Sequence, residues 1–164
     1  MKTNPLALTL TLSIGLLAPL AAQLEIKDAK GKHLDILSGD KVLVRYMYEY
    51  DTSTNEKKHA TYKPYLHVFD AEGKAPITKG PGGQYTHHRG IFIGWSKLGF
   101  NGKSYDRWHM KNGAIVHQKF HEHKTRENTA SITSVTQWND GDRKPMLDEE
   151  RTMTVWTPNE GWAR

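Results

Sequence analysis

Residues 24–37 read Leu-Glu-Ile-Lys-Asp-Ala-Lys-Gly-Lys-His-Leu-Asp-Ile-Leu, in which two alternating apolar and polar stretches flank a turn-forming Ala-Lys-Gly-Lys. Alternation with a period of two places the apolar side chains of a β-strand on one face. The stretch therefore predicts two short strands, each with one face in a hydrophobic core.

The same strand-like pattern recurs along the chain at intervals of about ten residues, with Gly, Pro, Asn and Asp between the runs. The further predicted strands are residues 41–50, 65–69, 91–95, 114–124, 129–138 and 146–156. Residues 51–58 are predicted to be a polar loop, and no 11-residue segment after residue 22 keeps the 3.6-residue apolar period of a helix. We therefore expect an all-β protein, an antiparallel β-sandwich formed by residues 23–164 as a single domain.

Residues 1–22 have the features of a secretory signal peptide: Lys2, the apolar run Leu6–Leu17, and the small residues Ala21-Ala22 before Gln23. A transmembrane helix needs about 20 apolar residues, and this run is shorter and is interrupted by Pro19. We expect an exported protein, periplasmic or extracellular, with no membrane contact after removal of the peptide. Because no closing element follows the last predicted strand, we also expect the sandwich to be truncated at its C-terminus.

The composition excludes several function classes. The chain has no cysteine, so neither thiol catalysis nor a cysteine zinc site is available, and a divalent metal would need histidine and carboxylate ligands. The net charge of +5 is too small and too evenly spread to predict a nucleic-acid partner, although binding of a polyanion stays open. No dinucleotide or phosphate-binding loop and no nucleophile elbow occurs, so no nucleotide cofactor is expected.

The strongest candidate for a site follows the turn Gly80-Pro81-Gly82-Gly83, where His87 and His88 precede Arg89. Neighbouring residues of an extended strand point to opposite faces, so both histidines can line one site only if the backbone turns there. Imidazole can act as a general acid or base near neutral pH, or as a metal ligand. We expect His88 to transfer the proton with His87 beside it, and Arg89 to stabilise a developing negative charge.

Further candidates come from three other segments of the chain. In Tyr105-Asp106-Arg107-Trp108-His109, His109 is the expected proton-transfer counterpart of His88, and an indole beside polar groups suits stacking on a sugar. In the strand 114–124, four residues of one parity (His117, Lys119, His121 and His123) are expected to share one face, from which His117 could reach the site. The expected substrate-binding residues are Trp95, Trp108, Tyr65, His67, Asp106 and His117.

The spaced motifs Lys63-Pro64-Tyr65-Leu66-His67, His87-His88-Arg89-Gly90 with Gly94-Trp95, and Tyr105–His109 resemble a bacterial domain-of-unknown-function family often labelled methane oxygenase PmoA-like. The resemblance runs from about Val42 to Trp156 and implies proteins about twice this length, acting in glycoside or sugar metabolism. Many members resemble Asp-His-x-His-His where this chain has Gln84-Tyr85-Thr86-His87-His88, so a three-histidine metal site does not carry over. The label does not imply an activity, because a membrane methane monooxygenase needs several transmembrane helices.

These observations leave three functions open. The first is an enzyme acting on glycosides or modified sugars, a lyase or hydrolase that uses histidine rather than a carboxylate pair. The second is a noncatalytic carbohydrate-binding module that relies on exposed aromatic side chains. The third is an exported interaction domain in which the histidines have no catalytic role. Convergence of His87 or His88, His109 and a tryptophan in one place would favour the enzyme.

Overall fold

The computed structural model describes residues 23–157; the predicted signal peptide, residues 1–22, lies outside the described residues. The described part of the chain forms nine strands and one short helix. They are β1 Leu24–Ala29, β2 His33–Ser38, β3 Lys41–Met47, α1 Asn55–Thr61, β4 Tyr65–Val68, β5 Leu98–Phe100, β6 Lys103–Tyr105, β7 Ala114–Arg126, β8 Thr129–Asn139 and β9 Pro145–Trp156.

The strands form two main antiparallel sheets. The first has the order β1-β2-β3-β4 and the second the order β7-β8-β9, while β5 and β6 form a small separate hairpin. The prediction of an all-β fold is confirmed, and the sheets do not close into a barrel. Between residues 23 and 157, no helix is long and apolar enough to cross a membrane.

A hydrophobic core lies between the two main sheets. Leu34 and Ile36 of β2 are 0% and 1% exposed, and they pack in one cluster with Ala130 and Ile132 of β8. The alternation in residues 24–37 produces this arrangement, because Ile26 pairs with Ile36 across the β1–β2 hairpin and each strand turns one face to the opposing sheet. A second cluster, which includes Trp138 and Ile115, fills the end of the fold nearest α1.

Two predicted elements were wrong. The segment predicted as a polar loop contains helix α1, which begins because the Thr54 side chain accepts a hydrogen bond from the Lys57 amide. The segment predicted as strand 91–95 is irregular, apart from an isolated bridge between Ile91 and Leu66. Its Trp95 carbonyl accepts hydrogen bonds from the Arg107 and Trp108 amides at 2.7 and 3.0 Å, so the segment connects β4 to the loop after β6 instead of forming a strand.

Candidate functional site

Three imidazole rings lie together at the surface, and they come from two loops. The ring centroids of His87 and His88 are 4.2 Å apart, and those of His87 and His109 are 4.4 Å apart. His87 and His88 are partly buried, whereas the His109 side chain is 41% exposed. The Trp108 ring stands edge-on to His88 at 5.9 Å. We call His87, His88, His109 and Trp108 the histidine–tryptophan group.

The backbone turns before the two adjacent histidines, which allows both side chains to lie on the same side of the loop. The His88 amide donates to the Tyr85 carbonyl at 3.0 Å, and the Tyr85 ring stacks on His88 at 5.3 Å. The ammonium group of Lys79 donates to the carbonyls of Gly82, Tyr85 and His88. The Lys79 side chain therefore connects the two ends of this glycine-rich loop.

The second loop fixes the orientation of His109. Its Nδ1 lies 2.8 Å from Asp106 Oδ2, and Asp106 Oδ1 accepts the amides of Trp108 at 3.1 Å and His109 at 2.8 Å. Although partial burial acts in the opposite direction, the hydrogen bonds from His109 lower the pKa of Asp106. A carboxylate at Nδ1 selects the tautomer with the proton on that nitrogen, so Nε2 of His109 is the nitrogen that can accept a proton.

A buried lysine lies beneath this loop. Lys63 is 1% exposed; its ammonium group donates to the Trp108 carbonyl at 2.9 Å and lies 3.3 Å from the centroid of the Phe92 ring. Phe92 in turn packs against the Trp108 ring at 4.9 Å. Burial and the nearby Arg89 lower the pKa of Lys63 to about 7. Lys63 therefore supports both the backbone and the side chain of Trp108.

The surroundings of His87 favour the neutral form of its imidazole. Burial lowers its pKa, and the nearby His88, His109 and Lys63 lower it further. A positive charge on one member of the group opposes protonation of the next. His87 is therefore predominantly neutral at neutral pH and can accept a proton.

Arg89, which was expected to stabilise a developing negative charge on a substrate, has its side chain inside the fold. Arg89 is 1% exposed, and its guanidinium donates to the carbonyls of Ala60 at 2.7 Å, His59 at 3.2 Å and Thr86 at 2.9 Å. Two of these carbonyls belong to the last turn of α1. Because the charge is directed into the fold, stabilisation of an anion on a substrate by Arg89 is not supported, and the residue instead joins α1 to the histidine loop.

Arg107 is buried in the same manner beneath the second loop. It is 0% exposed and donates to the carbonyls of Lys111 at 3.2 Å and Asn139 at 2.9 Å. The segment that carries Asp106 and His109 is thereby attached to the end of β8. From the sequence, Arg107 was considered only as one member of the motif Tyr105–His109.

Tyr65 and His67, expected to bind substrate, also lie inside the fold. They are 4% and 8% exposed, and their rings meet edge-on at 5.0 Å. His67 Nδ1 forms a hydrogen bond with Thr78 Oγ1 at 3.0 Å, so the loop that follows β4 covers the ring. Burial lowers the pKa of His67. Neither residue reaches the histidine–tryptophan group.

Trp95 is exposed, but its ring packs against Trp138. The residue is 54% exposed, and its ring lies 5.5 Å from Trp138 at an interplanar angle of 33°. Trp138 is 1% exposed and donates from Nε1 to Glu149 Oε2 at 2.8 Å. The Trp95 ring therefore forms an aromatic surface beside the second hydrophobic cluster.

His117 lies on strand β7, between the two main sheets, and does not reach the histidine–tryptophan group. Its Nδ1 is bound to Ser134 Oγ at 2.8 Å. The prediction that His117, Lys119, His121 and His123 share one face was wrong for Lys119 and His121, because the register of β7 shifts between His117 and Lys119 and again between Phe120 and Glu122. Each bulge reverses the alternation, so Phe120 takes the inward position beside His117 and His123 returns to the same face, 4.8 Å from the Phe120 ring. His121 instead pairs with Glu150 at 2.8 Å.

Sequence reasoning did not single out three residues that contact the group: Lys63, Tyr85 and Phe92. A signal existed for Lys63, which stands between Tyr62 and Pro64-Tyr65; the structure buries all three of these neighbours. A lysine in such a position is rarely buried without a special reason. In residues 23–157, no group of three or more His, Cys, Asp or Glu side chains is arranged to hold a metal ion.

The fold and the surface group define a small all-β protein in which two loops beside a two-sheet core bring three histidines and a tryptophan together. The chain belongs to the family of unknown function DUF6807, whose sequence profile matches residues 33–163. The resemblance to a family of unknown function is thus confirmed. No curated protein and no solved structure matches the chain.

Proposed function

We propose that this protein acts on glycosides or modified sugars as a histidine-based lyase or hydrolase. The convergence of His87, His88 and His109 from two loops, with one imidazole oriented by Asp106, carries the proposal. Close imidazoles can accept one proton and donate another in the same turnover, which both reactions require.

The residues have distinct roles in this proposal. His109 uses Nε2 as the general base, because its Nδ1 is held by Asp106, and removes a proton from a substrate carbon or from an attacking water. His88 in its protonated form donates a proton to the departing oxygen as the bond to carbon breaks. Trp108 offers an apolar ring next to His88, against which the C–H face of a sugar can pack.

The test is turnover on a panel of glycosides and oxidised sugars, with product analysis by mass spectrometry. We expect His109→Ala and His88→Ala to lower turnover of any accepted substrate by about 100-fold or more. His121→Ala is a matched control, since its ring is exposed and, within residues 23–157, pairs only with Glu150. Undiminished turnover in either His109→Ala or His88→Ala would contradict the proposal.

The second candidate is a noncatalytic carbohydrate-binding module. The exposed ring of Trp95, supported by Trp138, favours this function, because such a surface can stack on a sugar without any acid or base. In that case glycan affinity survives the double change His87→Ala and His88→Ala and is lost in Trp95→Ala or Trp108→Ala. Isothermal titration with the same glycan panel distinguishes the two functions.

We further propose that the protein is exported, which rests on Lys2, the apolar run Leu6–Leu17 and Ala21-Ala22. Expression of the whole sequence in a bacterium, followed by fractionation and intact-mass measurement, tests this. The expected product begins at Gln23 and is found in the periplasm or the medium. A cytoplasmic product that retains residues 1–22 would contradict it.

A further inference from the structure

Four large apolar side chains are exposed along one side of the sandwich. They are those of Ile77, Ile91, Ile93 and Trp95, with exposed fractions from 41% to 70%, and we call them the apolar row. Exposure alternates along residues 91–95, because Phe92 and Gly94 are half-buried against the second loop. A contiguous exposed apolar surface of this kind marks an interaction site.

The middle of the apolar row lies level with the middle of strand β9. Ile91 pairs with Leu66 at the free edge of β4, and Leu66 pairs in turn with Tyr46 of β3. The Tyr46 hydroxyl reaches across the core to Ser134, which pairs with Arg151 of β9. Ile91 therefore lies on the side of the sandwich where β9 is the outermost strand of the second sheet.

The two ends of the apolar row follow the same strand. The Trp95 ring packs on Trp138, which pairs with Leu147 at the beginning of β9. At the other end, the Ile77 amide donates to the Val68 carbonyl of β4 at 2.9 Å. The apolar row therefore runs alongside residues 147–151 of β9, and Ile77 extends it further along the sheet edge.

Strand β9 has a free edge beside the apolar row. One edge of its 12 residues pairs with β8; within residues 23–157, no segment forms a backbone hydrogen bond with the other edge. The first sheet has four strands and the second three, and β1 lies against β7 and β8, so β4 and the apolar row project beyond β9. The space beneath them suits one added strand, about 4.8 Å from β9. Unpaired amides and carbonyls at such an edge are a template for strand pairing.

The solvent-facing side chains of β9 define the charge of a strand that fits. Asp148 and Glu150 are exposed; they contact Gln137 and His121, and within residues 23–157 neither forms an ion pair with a lysine or arginine. Basic side chains opposite these carboxylates would be favourable cross-strand neighbours. A second copy of this chain fits less well, because each of its edge strands brings an opposing sheet that would meet the apolar row.

We propose that β9 and the apolar row bind an extended segment of a partner polypeptide, about seven residues long, in which apolar and basic side chains alternate. Its backbone adds as a strand to the free edge of β9. Its apolar side chains cover Ile91, Ile93 and Trp95, and its basic side chains face Asp148 and Glu150. No member of the histidine–tryptophan group takes part, so this binding is independent of the activity proposed above.

The test titrates the ¹⁵N-labelled full chain with the synthetic peptide acetyl-Lys-Ile-Lys-Val-Lys-Ile-Lys-amide, followed by nuclear magnetic resonance. We expect the backbone amides of residues 147–153 to shift. A peptide with glutamate in place of every lysine should bind at least tenfold more weakly, although the net charge of +5 would favour it in a non-specific interaction. The rearranged peptide acetyl-Ile-Ile-Val-Lys-Lys-Lys-Lys-amide, which lacks the alternation, should also bind at least tenfold more weakly.

The double change Ile91→Ser and Ile93→Ser should weaken binding of the alternating peptide about tenfold, which corresponds to about 1.4 kcal/mol. Tyr85→Ser, at an exposed ring on the histidine loop, is the matched control and should leave the affinity unchanged. Because Ile91 and Ile93 are exposed, the double variant should fold, and its melting temperature beside that of the control separates loss of binding from loss of structure.

Four outcomes would overturn the proposal. The first three are no shift in residues 147–153, equal affinity for the alternating and rearranged peptides, and unchanged affinity in the double isoleucine variant. The fourth comes from analytical ultracentrifugation of the protein alone, which we expect to show a monomer. A dimer that dissociates in the double isoleucine variant would identify a second copy, rather than a partner segment, as the occupant of this surface.

Discussion

Replacement of Arg89 by methionine should destabilise the fold strongly, although Arg89 adjoins the histidines. The guanidinium donates three hydrogen bonds, to the carbonyls of His59, Ala60 and Thr86, and lies 4.5 Å from the centroid of the Tyr62 ring. Methionine preserves much of the apolar packing and removes all three donors. The experiment therefore measures the hydrogen bonds and the charge rather than the volume.

The expected loss is about 3 to 5 kcal/mol in the free energy of unfolding. A hydrogen bond from a charged donor contributes about 1.5–3 kcal/mol, and the sum is reduced here because water can reach some of the freed carbonyls. Since a domain of this size is stable by about 5–15 kcal/mol, a large part of the stability would disappear. Urea unfolding followed by circular dichroism measures it.

Arg126→Met is the matched control, because Arg126 is exposed at the end of β7 and should change stability by no more than about 0.5 kcal/mol. An unfolding midpoint for Arg89→Met that equals the control would refute the assignment of Arg89 to the fold. In that case the guanidinium would be free to act at the histidine–tryptophan group, and the catalytic role expected from the sequence would have to be reconsidered.

Three further predictions concern the candidate site and its surroundings. Asp106→Asn should lower turnover about 100-fold. It should also allow the His109 proton to move between the two ring nitrogens, which ¹⁵N spectra would show. Unchanged spectra would contradict the inference that the Asp106 carboxylate fixes the tautomer of His109. Gly90→Ala should destabilise by about 2–4 kcal/mol in urea unfolding, because φ is +33° and an added Cβ would overlap the Leu66 carbonyl; an unchanged midpoint would contradict this. Burial lowers the pKa of His117 from 6.5 to about 4. As the pH falls, the unfolded chain therefore binds this proton before the folded protein does, so the free energy of unfolding should fall between pH 6.5 and pH 4. The decline should be smaller in His117→Gln, and equal pH profiles of the two proteins would contradict the prediction.

The strands were predictable because burial of one face imposes a local pattern. The alternation in residues 24–37 corresponds to β1 and β2, and the runs that begin near residues 114, 129 and 146 correspond to β7, β8 and β9. Helix α1 was missed because its seven residues contain no buried side chain, so no apolar period marks it. The segment 91–95 has a strand-like composition, but its hydrogen-bond partners are Leu66 of β4 at one end and the loop after β6 at the other.

The candidate residues were less predictable than the fold. The sequence suggested His87, His88, His109 and Trp108, and the structure brings their side chains together. Arg89 has the same local appearance as its neighbours, yet its side chain turns inwards because the last carbonyls of α1 need donors. The approach of α1 to this loop is a long-range contact, and no pattern of neighbouring residues records it.

The sequence by itself determined the β-rich architecture, the absence of thiol chemistry and the loops in which polar chemistry is concentrated, because each of these follows from residue types and their local spacing. Only the tertiary structure decided which imidazoles share a surface. Two bulges in β7 place Phe120 beside His117 and separate His117 from His121, while the Asp106 turn carries His109 to His87. Bulges and loop contacts depend on partners distant along the chain, so the direction of each side chain is set only when the sheets and loops pack together.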